Sequence, residues 1–261
     1  MTYPHNWFPQ ARKIKRTIIY HLGPTNSGKT HSAITSLINA KSGIYLAPLR
    51  LLAWEVQEKI NTARNADICS LVTGQEKKEF DGATHYSCTV EMCLTNRKFD
   101  CAVIDEIQLI SDDYRGAAWT TALLGLQAEE IHLCGDERAL KLVYLICSRI
   151  GDTVIKRSYE RLSDLKVEDE HIHSVSQLKK GDCIISFSKS KIFQIKELIN
   201  NRYWKKEYKN DDEYIVDRKK DNKVAIIYGN LPPETKKEMA INFNENQSYY
   251  FLVATDAVNY F

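Results

Sequence analysis

The chain has 261 residues, 43% hydrophobic and 27% charged, with a formal net charge of +2. That suffices for one large domain or two ordinary ones around a sizeable core. It excludes a membrane span, because no apolar run approaches the roughly eighteen residues needed, and it confines any nucleic-acid surface to a local patch.

Residues 1–16 carry Arg12, Lys13, Lys15 and Arg16 but no apolar signal core, and Pro4, Pro9 and aromatics interrupt any amphipathic transit helix. Within them His5-Asn6-Trp7-Phe8-Pro9 reads two ways, as a stack for a purine base or as an aromatic latch on the domain surface.

The run Thr17–Leu22 predicts a buried strand, and His31–Asn39 an amphipathic helix. Between them Gly23-Pro24-Thr25-Asn26-Ser27-Gly28-Lys29-Thr30 has the spacing of a phosphate-binding P-loop. Glycines let successive N–H groups converge on a polyphosphate, and the helix N-terminus adds partial positive charge. Lys29 then reaches the β- and γ-phosphates, and the Thr30 hydroxyl can ligate Mg²⁺. ATP with Mg²⁺ is the expected ligand.

Three further strands each end in a polar loop. Gly43–Arg50 ends in Pro48 and Arg50 before a helix from about Leu51 to Ala63. Ser70–Gln75 ends in Thr73 and Gly74, and His85–Met92 carries Thr89. Ligands gather at the carboxyl ends of such strands. The three loops can therefore make a row of phosphate contacts, although Ser, Thr and Gly are common in any loop, and Arg50 equally suits an ordinary surface position.

The run Asp100–Ile104 is apolar after its first residue and ends in Asp105-Glu106-Ile107-Gln108, about seventy-five residues after Lys29. This is how a P-loop enzyme presents its acidic pair: Asp105 toward the metal through water, Glu106 toward the attacking water. Glu130–Asp136 predicts another strand and Ala139–Ile150 a helix, so residues 1–158 read as one parallel α/β domain covered on both faces. Residues 159–177 read as a linker. Residues 178–261 repeat the strand–helix series, with strands at 182–187, 224–229 and 249–254 and helices at 189–200 and 234–243; Arg202–Lys223 reads as a solvated insertion.

The seven cysteines, at 69, 88, 93, 101, 134, 147 and 183, never take Cys-x-x-Cys spacing and mostly sit among apolar neighbours. They predict free thiols in a reducing compartment and no zinc site. The seven histidines show no metal spacing either, and His171 and His173 read as linker residues.

In order along the chain stand Gly-Pro-Thr-Asn-Ser-Gly-Lys-Thr, Ala-Pro-Leu-Arg-Leu-Leu-Ala, Leu-Val-Thr-Gly-Gln-Glu-Lys-Lys, Cys-Thr-Val-Glu-Met, Ile-Asp-Glu-Ile-Gln, Leu-Cys-Gly-Asp, Tyr-Glu-Arg-Leu, Tyr-Gly-Asn-Leu-Pro-Pro-Glu-Thr and Ala-Thr-Asp-Ala. Together these closely resemble the ATP-dependent RNA helicases of the mitochondrial degradosome, the Suv-three type within helicase superfamily two. The resemblance runs from Pro4 to Ala257.

The resemblance implies two RecA-like domains closing on ATP and moving along single-stranded or partly duplex RNA. It makes Gly23–Thr30 motif I and Asp105, Glu106 and Gln108 motif II, with Gln108 sensing the γ-phosphate. It places Pro48, Arg50, Thr73, Gly74 and Thr89 on the RNA backbone, and identifies Phe187 and Ser188 with motif IV and Thr255 and Asp256 with the start of motif V. It also implies a mitochondrial protein, the cytoplasm being the alternative, and an exoribonuclease partner. Where such helicases continue motif V this chain has Val258-Asn259-Tyr260-Phe261, and motif VI, the source of the arginine finger, is absent. The expectation is a partial version of a longer helicase. The alternatives are a nucleotide- and RNA-binding module without motor activity, and a P-loop kinase.

Overall fold

The computed structural model describes residues 3, 6–207, 224–244 and 249–255. Pro4 and His5, most of the 202–223 insertion, Asp256 and the Val258–Phe261 segment lie outside the described residues. The chain divides into two compact units, Met1–Leu165 and Lys166–Phe261.

The first unit is built on strands β1 (Thr17–Leu22), β2 (Gly43–Ala47), β3 (Cys69–Val72), β4 (Lys77–Lys78), β5 (His85–Thr89), β6 (Lys98–Ile104), β7 (Gln127–Gly135) and β8 (Thr153–Ser158). Its helices are α1 (Lys29–Asn39), α2 (Arg50–Arg64), α3 (Gly116–Gly125) and α4 (Leu140–Ile150). The strands form one sheet in the order β4-β3-β5-β2-β6-β7-β1-β8. All neighbours are parallel except β3 and β4.

Alternation along the strands sorts the core onto two faces. Tyr45, Ala47, Leu71, Cys101, Val103 and Cys134 meet Ala33, Ile34 and Leu37 of α1 and Ala53, Val56 and Ile60 of α2. Their opposite-parity neighbours Ile18, Tyr20, Ile44, Ile104 and Leu133 meet Trp119 and Leu123 of α3 and Val143 of α4. The buried stripe of α2 falls at Ala53, Val56, Gln57 and Ile60, the spacing of one helical face, and the helix ends where Asn65 turns left-handed at φ 51°. α4 ends the same way at Gly151, φ 78°.

Two elements are invisible to the sequence patterns. α3 is a run of Gly, Ala, Trp, Thr and Leu whose apolar residues leave no polar face, so no stripe marks it. β8 is an edge strand with mostly exposed side chains, and it pairs with β1 through the backbone from Thr17↔Thr153 to Leu22↔Ser158.

The second unit holds β9 (Cys183–Ile185), β10 (Val224–Ile227) and β11 (Phe251–Ala254) with helices α5 (Lys189–Glu207) and α6 (Pro233–Asn244). Its described strands run parallel in the order β10-β11-β9. Ile192 and Ile199 of α5 pack on Val224, Ile226, Phe251 and Val253, while Ala240 of α6 packs on Ala225, Ile227 and Leu252.

Candidate active site

The strand order divides the carboxyl edge of the first sheet into two halves. Strands β6, β7 and β1 are neighbours and end at Asp105, Gly135 and the P-loop; β3, β5 and β2 are neighbours and end at Thr73, Thr89 and Pro48.

In the P-loop the chain turns left-handed at Asn26 (φ 57°) and Gly28 (φ 76°), and α1 starts at Lys29. The first-turn N–H groups of α1 precede its first internal bond, Ser32 N–H to the Gly28 carbonyl at 3.1 Å. The Lys29 side chain is buried, and its Nζ donates to the Pro24 carbonyl at 3.1 Å. Ser27 Oγ is buried without a hydrogen-bond partner among the described residues. A Cβ on Gly23 would stand 2.7 Å from that Oγ and 3.0 Å from Tyr159 Cβ, so a side chain there would displace Ser27 Oγ and crowd Tyr159. Tyr159 N–H donates to the Leu22 carbonyl and Leu162 N–H to the Asn26 carbonyl, both at 2.8 Å, and Asn26 Nδ2 donates to Ser163 Oγ at 2.7 Å. The start of the segment read as a linker is thus bound to the P-loop.

Asp105 is buried at the end of β6. Thr30 Oγ1 lies 3.3 Å from its Oδ1, Tyr45 Oη donates to its Oδ2 at 2.8 Å, and Glu106 N–H donates to Oδ1 at 2.9 Å. Trp119 Nε1 holds its main-chain carbonyl at 2.9 Å. Burial, then the neighbouring Glu106 charge, pushes the Asp105 carboxyl up to about 6 against the opposing bonds from Tyr45 and Glu106 N–H and the charge of Lys29. Glu106 turns left-handed at φ 48°, and its Oε2 accepts from Gln108 Nε2. Gln108 Oε1 faces the Asp136 N–H at 3.4 Å, and a Cβ on Gly135 would meet that Oε1 at 2.6 Å. Gln108 therefore links the acidic pair to the end of β7. Oxygen donors from Thr30 and Asp105 with a buried cation beside them suit a hard divalent ion with a polyphosphate.

On the other half, Arg50 opens α2, and its buried Nη1 has no hydrogen-bond partner among the described residues. The Thr73 hydroxyl closes its own turn, donating to the Glu76 carbonyl at 3.1 Å and accepting from Glu76 N–H at 3.0 Å, while Gly74 has open space around its Cα. Thr89 is buried just before the short turn Val90–Met92. Arg115 ties this row together: its Nη2 donates to the Pro48 carbonyl at 2.7 Å and to Glu91 Oε1 at 2.8 Å, over the Trp119 ring. Arg115, Tyr45 and Trp119 carry no motif signal; each is legible only once the strands are paired.

In the second unit Phe187 is 88% exposed beyond β9, and Ser188 precedes α5, its carbonyl accepting from Ile192 N–H at 3.1 Å. Thr255 N–H donates to the Ile227 carbonyl at 2.9 Å beyond β11. Trp7 is half exposed, and the Phe8 ring lies 2.9 Å from where a Cβ on Gly125 would stand, at the end of α3. Phe8 takes the latch arrangement.

A parallel sheet with a P-loop after β1 and an acidic pair closing β6 two strands away defines a RecA-like P-loop domain. Residues 4–159 match the family model described as the DEXQ-box helicase domain of Suv3, and the chain belongs to that family. It is 45% identical over 260 residues to the rice protein named ATP-dependent RNA helicase SUV3L, mitochondrial, covering 99% of this chain and 33% of that one. Identity to the human protein named ATP-dependent RNA helicase SUPV3L1, mitochondrial, is also 45%, over 98% of this chain and 30% of the relative. For the Arabidopsis DExH16 helicase it is 45%, over 99% of this chain and 42% of the relative. The chain thus spans between about a third and two fifths of the curated relatives it matches. Among solved structures, the Mycobacterium smegmatis helicase Lhr aligns at TM-score 0.61 and 14% identity over 95% of this chain and 40% of that one. The S. cerevisiae Dbp5 structure aligns at 0.53 and 15%, over 92% of this chain and 64% of that one. Both share the fold.

Proposed function

We propose that this chain provides the ATP-hydrolysing and RNA-gripping parts of an ATP-dependent RNA helicase. The observation that carries the reading is the split of one sheet edge. Nucleotide groups end β6, β7 and β1, candidate RNA groups end β3, β5 and β2, and Tyr45 bridges the β2–β6 boundary to Asp105.

Lys29 is the phosphate-neutralising cation; its Nζ would leave the Pro24 carbonyl, 3.1 Å away, for the β- and γ-phosphates. Ser27 Oγ, buried and without a partner among the described residues, would join the loop N–H groups on the same oxygens. Thr30 and Asp105 would hold Mg²⁺, which when bound neutralises phosphate charge. Glu106 accepts the proton of the attacking water, held in place by Gln108. Gln108 also contacts the Asp136 N–H, so a shift at the acidic pair passes to the end of β7.

Pro48, Arg50, Thr73, Gly74 and Thr89 are the candidate RNA contacts of the first unit, and Phe187, Ser188 and Thr255 are those of the second. Contacts of this kind go to phosphate and sugar, so binding falls with salt and shows little sequence preference. The names of the relatives support a mitochondrial RNA substrate, and RNA turnover beside an exoribonuclease is the process such a motor would serve.

The test is ATP turnover with and without single-stranded RNA, beside Lys29→Ala and Arg50→Ala. RNA-stimulated turnover that vanishes in the first variant and loses its RNA dependence in the second is the expected result. Nucleotide binding without RNA-stimulated turnover would assign this chain a binding role only. Stimulation by a small-molecule acceptor above that by RNA would favour a kinase.

A further inference from the structure

The face of the sheet under α1 carries a polar cluster that the nucleotide chemistry does not use. The register sets Cys101 of β6 opposite Glu130 of β7, and His132 is two residues along the same strand on the same face. One ligand atom from each of the three lies within 4.8 Å of the other two. Cys101 and His132 are buried, whereas the Glu130 side chain is 46% exposed and gives the cluster a mouth to solvent. His132 Nε2 meets Glu130 Oε1 at 2.6 Å, and from behind His132 Nδ1 meets His21 Nε2 at 2.7 Å. His21 Nδ1 in turn meets Tyr159 Oη at 2.7 Å.

We propose that Cys101, Glu130 and His132 form a binding site for one zinc-class divalent cation, separate from the nucleotide site. Thiolate, imidazole and carboxylate are the zinc donor set, and the thiolate disfavours magnesium and calcium. One thiolate and one carboxylate balance the dication, so the complex is neutral where it enters the apolar layer beneath α1. Metal–ligand lengths near 2.0–2.3 Å set tetrahedral ligand separations of roughly 3.5 Å, so the wider pairs of the cluster must close by about an ångström while the 2.6 Å His132–Glu130 pair opens by about as much. The half-exposed Glu130 side chain has that freedom, and the exposed mouth leaves a fourth position for water. The nearby carboxylate of Asp100 is engaged by Ser42 N–H and Oγ at 2.9 and 2.8 Å and is not a ligand.

The imidazole chain supplies the outer support that metal-bound histidines need. Without metal its bonds run one way: Tyr159 O–H to His21 Nδ1, His21 Nε2–H to His132 Nδ1, His132 Nε2–H to Glu130. With metal both rings take the other tautomer. His132 Nε2 then binds the ion, His132 Nδ1–H donates to His21 Nε2, and His21 Nδ1–H donates to Tyr159 Oη. Each ring carries one proton in either arrangement, and Arg157, paired with His21 in the β1–β8 register, is the nearby fixed charge. The one proton released is that of the Cys101 thiol. The site lies at the middle of β6 and β7, four residues before Asp105 along β6, or roughly 13 Å.

The test is a titration of the full chain with Co²⁺, read as the thiolate-to-cobalt charge-transfer band and the visible bands of four-coordinate cobalt, followed by displacement with Zn²⁺. One equivalent is expected. Cys101→Ser should abolish the charge-transfer band. Glu130→Gln, at a half-exposed position that tolerates the change, should weaken binding more than the roughly 10–100-fold that loss of an outer partner costs. His21→Gln should fall within that outer-partner range. Cys183→Ser, at the exposed cysteine outside the cluster, and Lys29→Ala should leave the spectrum unchanged, which separates this site from nucleotide binding. A chain folded by circular dichroism that shows no cobalt–thiolate band, or a band lost with Cys183 rather than Cys101, overturns the assignment.

Discussion

Tyr45 Oη donates a 2.8 Å hydrogen bond to Asp105 Oδ2 across the β2–β6 boundary. Beside the backbone bond from Asp105 N–H to the Leu46 carbonyl at 3.0 Å, it is a side-chain link between the two halves of the sheet edge. Tyr45 is fully buried, two residues before Ala47 and the Pro48 loop, and Asp105 closes the neighbouring strand. A displacement of the β2 loop by a bound strand would therefore be felt at the carboxylate. Bonds from Tyr45 and from Glu106 N–H, with the charge of Lys29, are what hold that carboxylate down against burial.

Tyr45→Phe should weaken metal-dependent nucleotide binding rather than abolish it. Loss of a hydrogen bond to a charged group is worth about 1.5–3 kcal/mol. Without it more of the Asp105 population is protonated near neutral pH, so more Mg²⁺ is needed for the same occupancy. A roughly tenfold rise in the Mg²⁺ midpoint for binding a fluorescent ATP analogue is expected, with the maximum amplitude retained. An unchanged midpoint would show that Tyr45 is only packing.

Gly135→Ala should separate binding from coupling. The new methyl would stand 2.6 Å from Gln108 Oε1 and 2.6 Å from Ile107 Cγ2, so Gln108 has to leave its place beside Glu106. Overpacking of this kind costs about 1–3 kcal/mol of stability. Nucleotide affinity should stay within a few-fold of the parent while RNA stimulation of turnover is lost, matching Gln108→Ala. Normal stimulation in a folded variant would remove Gln108 from the coupling path.

The legible parts of this chain were those whose chemistry sits in consecutive residues. The P-loop and Asp105-Glu106-Ile107-Gln108 are contiguous, and the apolar strands before them mark their own ends. That Pro48, Thr73 and Thr89 form one row depends on the order β3-β5-β2, which no local pattern encodes. β8 stayed hidden because its side chains are mostly exposed and only its backbone pairs; α3 stayed hidden because it lacks a polar face. Cys101, Glu130 and His132 meet through strand register, so the expectation of no metal spacing, drawn from linear distance, could not register them.

Arg16 precedes β1 and was legible only as one of a basic group, yet it is fully buried. Its Nε lies 3.1 Å from both Asp152 carboxylate oxygens, and its Nη1 donates to the Leu126 carbonyl at 3.0 Å. It thus joins the entry to β1, the end of α3 and the turn after α4. Removing one partner strands the other charge, at a cost of about 3–5 kcal/mol. Arg16→Ala should lower the urea midpoint accordingly, and Arg16→Lys should recover little, since a lysine cannot reproduce the fork. A loss below about 1 kcal/mol would place this pair with surface ion pairs.

Acid should destabilise the first unit through its buried histidines. Burial lowers the pKa of His85, whose ring bonds the Leu37 carbonyl at 3.0 Å and Thr84 Oγ1 at 2.9 Å, and likewise that of His132. His21 is lowered to about 4 by burial, His132 and Arg157. In each case the unfolded ring, with a pKa near 6.5, binds protons that the folded ring refuses, so stability is full above that value and falls as pH drops below it. At pH 5.5 the His21 contribution alone is a loss on the order of 1 kcal/mol. Asp105 acts in the opposite sense, because its carboxyl at about 6 takes up a proton in the fold before it does in the unfolded chain. Glu55, raised by burial, acts in the same sense as Asp105, and the three histidines outweigh the two carboxylates to leave a net loss. The urea midpoint should fall between pH 7.5 and 5.5, and His85→Gln, which keeps a donor for Leu37, should flatten that slope; a midpoint that held or rose would mean that the rings are already protonated in the fold.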